Sequence, residues 1–168
     1  MKKPLISIIL LIFLTACCTE KEKTELSELA ISAGIEEFFI KDSKNVEFAI
    51  VDEGKHNIII AKDNLGWDNI SVDVREGIEH LISSPQWLSI QENKMTQGVL
   101  LTNEVSDQTI GLISITKSYE LPNGDGLIYF DLLCGNDCGG GSFYLFKKES
   151  NKWILKNSYP VWGGFWFE

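Results

Sequence analysis

The chain has 168 residues, and its 24 acidic and 15 basic side chains give a formal net charge of −9 at pH 7. Because phosphate groups repel an acidic surface, the charge excludes nucleic acid as a partner and indicates mainly a need for solubility. The length suits one domain, which buries about 68–70% of its unfolded surface and folds without multiple cross-links.

The first eighteen residues have the pattern of an export signal. A basic start, Met1-Lys2-Lys3, precedes an apolar run at 4–14, which is shorter than the roughly 20 residues needed to span a bilayer. The following Leu14-Thr15-Ala16-Cys17 resembles the lipobox of bacterial lipoproteins. The resemblance implies cleavage before Cys17, a lipid on its sulfur, and a membrane-anchored envelope protein (outer membrane, periplasmic side or cell surface). An ordinary signal peptide, removed without lipidation, is the alternative, and Cys18 fits the lipidated position less well.

Three segments follow from this interpretation. Residues 1–16 are the signal peptide, residues 17–23 are the lipidated cysteine with a charged tether, and residues 24–168 are a single domain. Loss of the two lysines in the signal changes the formal charge from −9 to −11.

The first half of the domain predicts two helices and a hairpin. Apolar residues at helical spacing predict a helix from about Thr24 to Lys41 and a second helix that begins at Ser71 and ends before Pro85. Two β-rich runs at 46–51 and 57–61 flank a glycine-containing turn and predict a hairpin.

The second half predicts a succession of strands. The candidates are Val99–Thr102, Ile110–Ser118, Leu127–Leu133, Ser142–Lys148 and Lys152–Ser158. Their links are short and rich in glycine and asparagine, and short links favour antiparallel neighbours. We therefore expect an α+β fold, a curved antiparallel sheet with both helices packed on one face.

Cys134 and Cys138 bracket a glycine-containing loop. In an oxidising compartment two neighbouring cysteines usually pair, so a disulfide is predicted here. Redox catalysis prefers two intervening residues at a helix start, and zinc needs more ligands than the two distant histidines supply. An anion-binding loop is the remaining alternative, which Asp137 opposes.

The run from Cys134 through Trp153 resembles the C-terminal segment of small uncharacterised lipoproteins of Bacteroidetes-type bacteria. Its ending, Lys152-Trp153-Ile154, is also similar to the late strands of NTF2-like and cystatin-like α+β domains. The second resemblance implies such a fold, with a pocket between helices and sheet.

No catalytic, metal-binding or cofactor-binding set is predicted. His56 and His80 are interpreted as surface residues, although Glu76 and Glu79 near His80 leave a general base open. The oxygen-rich segment 63–69 lacks the spacing of a calcium loop and is interpreted as a turn.

The C-terminus is rich in aromatic residues, among them Trp162, Phe165, Trp166 and Phe167. These form either a last strand closing the core or a surface for a protein or glycan partner. We expect a non-enzymatic, lipid-anchored envelope binding protein that uses the sheet and these aromatics. The alternatives are an NTF2-like ligand-binding domain or enzyme, and an immunity or inhibitor lipoprotein.

Overall fold

Both described helices lie in the N-terminal half of the chain, and all but one of the described strands lie in the C-terminal half, so the fold is α+β, as predicted. The computed structural model describes residues 25–37, 46–50, 58, 66–89, 94–96, 99–102, 105–107, 109–134 and 138–163. Helix α1 covers residues 25–37, and a 3-10 turn, Trp67–Asn69, precedes helix α2, Val72–Ser83. The strands are β1 Val46–Ile50, β2 Lys94–Thr96, β3 Val99–Thr102, β4 Thr109–Ile115, β5 Tyr119–Glu120, β6 Gly126–Cys134, β7 Cys138–Glu149 and β8 Lys152–Gly163.

Both predicted helices are confirmed where the structure describes them. Helix α2 starts after Ser71 and ends at Ser83, two residues before Pro85, because a residue preceding proline disfavours helical geometry. The Ser71 side chain nevertheless makes no capping hydrogen bond. The predicted extension of α1 to Lys41 lies outside the described residues.

The sheet is mixed rather than antiparallel. Its order is β2-β3-β1-β4-β6-β7-β8, with β5 paired to β6. Strand β1 runs parallel to both β3 and β4, whereas the other pairs are antiparallel. The prediction is wrong at β1 because short links indicate only how sequence neighbours pair. Long connections lead from β1 to β3 and β4, and such connections permit parallel pairing.

The predicted hairpin between 46–51 and 57–61 is also wrong, because β1 has no free edge to pair with the second run. Both hydrogen-bonding edges of β1 are occupied, by β3 on one side and by β4 on the other. Of the second predicted run, only Ile58 is among the described residues, and it is buried.

The two helices lie on opposite faces of the sheet, which corrects the expectation of one shared face. Alternate side chains of β6 and β7 point to opposite faces. One set packs with α1 in the first core: Ile128, Phe130, Leu132, Tyr144 and Phe146. The other set packs with α2 in the second core: Leu127, Tyr129, Phe143 and Leu145. The continuous apolar run in β6 is typical of a strand covered on both faces.

Each helix approaches the sheet through a glycine. A Cβ at Gly34 of α1 would lie 2.2 Å from the Phe130 ring, and one at Gly77 of α2 would lie 2.7 Å from the Leu121 side chain. A larger residue at either position would require the facing side chain or the helix to move, so these glycines allow the helices to pack closely.

Strands β7 and β8 form a long, irregular hairpin. Ser150 and Asn151 at its turn both have positive φ angles, 49° and 64°, which is the geometry of a type I′ turn. The register shifts between Leu145 and Phe146, where β8 carries one extra residue, Lys156. Such a bulge redirects side chains, and here it affects the surface described next.

Candidate functional site

An open cleft of about 450 Å³ lies on the α2 side of the sheet. We call it the polar cleft, because most of its lining side chains are hydrophilic. The start of α2, the turn between β5 and β6, and the β7–β8 hairpin contribute to it. Its lining residues are Asn69, Ser71, Asp73, Val74, Asn123, Asp125, Leu145, Lys156, Asn157 and Tyr159.

The wall formed by α2 is fixed by an arginine. Arg75 donates a hydrogen bond from Nη2 to the backbone oxygen of Trp67 at 2.7 Å, which ties the helix to the preceding 3-10 turn. The backbone N–H of Arg75 also bonds to Ser71 O at 3.0 Å, closing the first helical turn. Asn69, Ser71 and Asp73 are thereby held at the rim of the cleft, and all three are exposed.

The opposite wall is a turn stabilised by its own side chains. Asn123 accepts a hydrogen bond at Oδ1 from the backbone N–H of Asp125 at 3.0 Å, which is the bond of an Asx turn. Its Nδ2 also donates to Asp125 Oδ2 at 3.0 Å. Gly124, between them, has a φ of +81°, a conformation that glycine adopts without strain. The turn therefore holds the Asp125 carboxylate in one position.

Asp125 is the unusual group of the cleft, because its side chain is only 8% exposed. Lys156 Nζ lies 3.7 Å from Asp125 Oδ2, the same oxygen that accepts from Asn123. Among the described residues, Asp125 Oδ1 has no hydrogen-bond partner. Oδ1 is not among the buried side-chain atoms that lack a partner, so it is open to water and can also accept a hydrogen bond from a ligand.

The bulge in β8 directs two adjacent side chains to the same surface. In a regular strand, successive side chains point to opposite faces. Lys156 is the extra residue of the bulge and Asn157 pairs with Leu145, yet both line the polar cleft. Buried Leu145 and Val74 form its apolar floor, and the half-buried Tyr159 adds an aromatic ring.

The polar cleft is nearly neutral. Its charged groups are two carboxylates, Asp73 and Asp125, and one ammonium, Lys156, for a formal charge of −1. The remaining polar groups are three asparagine amides, a serine hydroxyl and a phenol, all of which both donate and accept hydrogen bonds. This arrangement suits binding of an uncharged polar molecule rather than of a strongly charged one.

Two buried tyrosines lie outside the cleft. Tyr129 receives a hydrogen bond from Trp162 Nε1 at 3.1 Å and donates one to Asp131 Oδ2 at 3.2 Å. On the other face, Tyr144 donates to Glu37 Oε2 at 2.6 Å. Burial raises the pKa of both phenols above the ordinary value of about 10, and the neighbouring carboxylates raise these pKa values further. Both groups therefore stay protonated and cross-link the fold.

The predicted site residues are not assembled into one place. Trp162 is half-buried against the second core, which agrees with a strand that closes the core. Phe165, Trp166 and Phe167 lie outside the described residues, as does Cys17. Whether these aromatics form a binding surface stays a prediction.

Cys134 and Cys138 stand directly opposite each other in the ladder between β6 and β7. Directly opposite residues of antiparallel strands have Cα atoms about 4.5–5.5 Å apart, within the range that a disulfide spans. The register thus fits the predicted bridge, which itself stays a prediction. The loop between the two cysteines belongs to the part of the chain that is not described.

His80 is exposed on α2 and packs its ring against Tyr119, with ring centroids 4.5 Å apart. His56 is not among the described residues. Within the described ranges, no group of three or more histidine, cysteine or acidic residues is placed to hold a metal ion. None of the helices described is both long and apolar enough to cross a membrane.

The sequence indicated a short link, rich in glycine and asparagine, between the strands predicted at 110–118 and 127–133, but Asn123 and Asp125 in this link were not predicted as site residues. The signal for the turn is local, since an asparagine side chain can accept from the backbone N–H two residues on and form an Asx turn. No sequence signal pointed to Lys156 or Asn157, because the bulge that directs them to the cleft depends on the register of β7 against β8.

No family model matches the chain, and neither curated proteins nor solved structures give a match. The structure itself defines an α+β domain with a mixed sheet, a helix on each face and a polar cleft at one side. The resemblances to small lipoproteins and to NTF2-like or cystatin-like domains stay predictions.

Proposed function

We propose that the protein is a non-catalytic binding domain, held at the bacterial cell envelope by a lipid on Cys17, and that it binds an envelope component in the polar cleft. The observation that carries the proposal is Asp125, a carboxylate held by its own turn with one oxygen left without a partner among the described residues. The sequence of the export signal supports the location.

The make-up of the cleft favours binding over chemistry. Ligand sites combine an apolar surface with a few fixed polar groups, and here Leu145 and Val74 line the same cleft as Asp125. The volume of about 450 Å³ is within the range of small-ligand pockets, roughly 300–1,000 Å³. The buried phenols, whose pKa values are raised, lie outside the cleft and act in the fold. The cleft also fits the second candidate function, in which the domain binds a small soluble ligand.

Two exposed cleft residues allow a test that leaves the fold intact. Asn69 and Asn157 line the polar cleft and are exposed, so replacing both by alanine removes donors and acceptors without opening the core. Gln86→Ala is the matched control, because it removes an exposed amide that does not line the cleft. Binding of the full-length protein, in detergent micelles, is measured to envelope fragments from cells that lack it.

The wild-type protein and Gln86→Ala should bind the fragments saturably. The double variant should bind about thirtyfold more weakly, since the two lost hydrogen bonds contribute about 1 kcal/mol each. Equal binding by the double variant, or no saturable binding by the wild type, would show that the proposal is wrong. Unchanged thermal unfolding of the double variant verifies that only the surface was altered.

A further inference from the structure

We propose that the occupant of the polar cleft is an uncharged saccharide unit with neighbouring hydroxyl groups, a proposal that rests on the binding function above. Three features of the cleft lead to this class of ligand: its charge, its hydrogen-bonding groups and its aromatic ring.

The charge of the cleft disfavours ionic ligands. A phosphate, uronate or other anion would meet the carboxylates of Asp73 and Asp125. A cation would meet the ammonium of Lys156, which lies 3.7 Å from Asp125 Oδ2. A divalent metal would need more carboxylates than the cleft supplies, and the described residues hold no group of three metal-ligating side chains. An uncharged polar ligand meets none of these obstacles.

The hydrogen-bonding groups match hydroxyl groups. The turn made with Asn123 holds the Asp125 carboxylate in place, and its Oδ1 can accept a hydrogen bond from a ligand. The amides of Asn69 and Asn157 both donate and accept, as a hydroxyl does. A sugar presents several hydroxyls in a rigid array, so one molecule can satisfy the carboxylate and the amides together with little loss of conformational entropy.

The apolar part of the cleft fits the carbon face of a sugar ring. The half-buried ring of Tyr159 and the buried side chain of Leu145 lie among the polar groups. A pyranose has a C–H face that packs on such surfaces while its hydroxyls point to the rim. Aromatic side chains with a polar end are suited to this mixed contact. A cleft of about 450 Å³ has room for a small saccharide unit.

The experiment uses envelope fragments whose sugars or proteins have been destroyed selectively. One portion is oxidised with periodate, which cleaves the bond between carbons bearing neighbouring hydroxyls, and is then quenched. A second portion is digested with protease, and a third is mock-treated. Binding of the full-length wild-type protein, Asn157→Ala and Gln86→Ala is measured on all three.

Periodate should lower wild-type binding at least tenfold, protease should leave it unchanged, and Asn157→Ala should bind the mock-treated fragments more weakly than Gln86→Ala does. If binding depends on the cleft but is lost with protease and survives periodate, the ligand is a protein. The saccharide proposal is then wrong, while the proposed function stands. A different outcome would show that both the saccharide proposal and the proposed binding function are wrong. In that outcome Asn157→Ala and the Asn69→Ala/Asn157→Ala variant bind the mock-treated fragments as strongly as Gln86→Ala does.

A direct titration gives the second measurement. Uncharged methyl glycosides of glucose, galactose, mannose and N-acetylglucosamine are titrated calorimetrically into the full-length protein, and methyl glucuronide serves as the anionic comparison. At least one uncharged glycoside should bind, more weakly to Asn157→Ala than to Gln86→Ala. Preference for the glucuronide, or heats that do not depend on Asn157, would contradict the saccharide proposal.

Discussion

Replacing Gly34 by alanine tests the contact between helix α1 and the sheet. An alanine Cβ would lie 2.2 Å from Cε1 of Phe130, whereas carbon atoms in contact are normally about 3.5–4.0 Å apart. The Phe130 ring is fully buried and lies beside Tyr144, with ring centroids 6.2 Å apart. The ring therefore has little room to move, and the helix must shift away from the sheet.

Two opposing effects decide how much Gly34→Ala changes the free energy of unfolding. Alanine in place of a helical glycine stabilises the helix by about 1 kcal/mol. Overpacking a well-packed core costs about 1–3 kcal/mol, and the short distance to Phe130 places this site at the upper end. We expect Gly34→Ala to lower the free energy of unfolding by about 1–2 kcal/mol, and the unfolding temperature by about 2–8 °C.

Urea unfolding followed by circular dichroism measures the effect. Glu36→Ala, at an exposed position of the same helix, is the matched control and should change stability by less than about 0.5 kcal/mol. Shortening the ring with Phe130→Leu in the Gly34→Ala background should recover part of the loss, giving a coupling of about 0.5 kcal/mol or more in a double-mutant cycle. If Gly34→Ala is as stable as the wild type and the double-mutant cycle shows no coupling to Phe130, α1 does not pack on Phe130 through Gly34.

Three further outcomes are expected. Non-reducing mass spectrometry should find the peptides that contain Cys134 and Cys138 two hydrogens lighter than after reduction. Replacing both cysteines by serine should lower the free energy of unfolding by about 2 kcal/mol. Free thiols at both positions would contradict the predicted bridge. The raised pKa values of Tyr129 and Tyr144 give stability that is complete below pH 10 and falls as pH rises further, because the unfolded chain loses these protons first. Because these are two of the four tyrosines, about half of the tyrosinate absorbance should appear only together with unfolding in alkali. Ionisation of all four tyrosines without unfolding would refute the burial of these phenols. Cys17→Ser should move the protein from the membrane fraction to the soluble fraction, and unchanged membrane attachment would exclude the lipid anchor.

Much of the local structure followed from the sequence, and the reasons are local too. The apolar spacing of the two helices, the stop before Pro85 and the β-rich runs of the second half act over a few residues. They placed α2 and strands β3, β4, β6, β7 and β8 close to where the structure has them, whereas the short strands β2 and β5 were not predicted. The pairing of β1 could not be found in this way, because it depends on contacts between residues more than fifty positions apart.

The candidate site, too, could be predicted from the sequence only in part. The glycines and the asparagine of the turn around Asn123 predicted a turn. That the turn lines a cleft could not be predicted, because the burial of Asp125 depends on tertiary packing. Lys156 and Asn157 reach the polar cleft through one extra residue in β8. A one-residue shift in register moves side chains to the other face, and no local pattern in the chain encodes where that shift occurs.

The sequence by itself determined the α+β class and the order of most elements, and it supplies the prediction of an anchor at Cys17. Tertiary structure decided that the sheet is mixed, that α1 and α2 cover opposite faces, and that a polar cleft exists. The physical reason is the range of the interactions involved. Helix periodicity, turn chemistry and export signals act within short segments, whereas the cleft needs α2, the Asp125 turn and the bulged strand β8 to pack together.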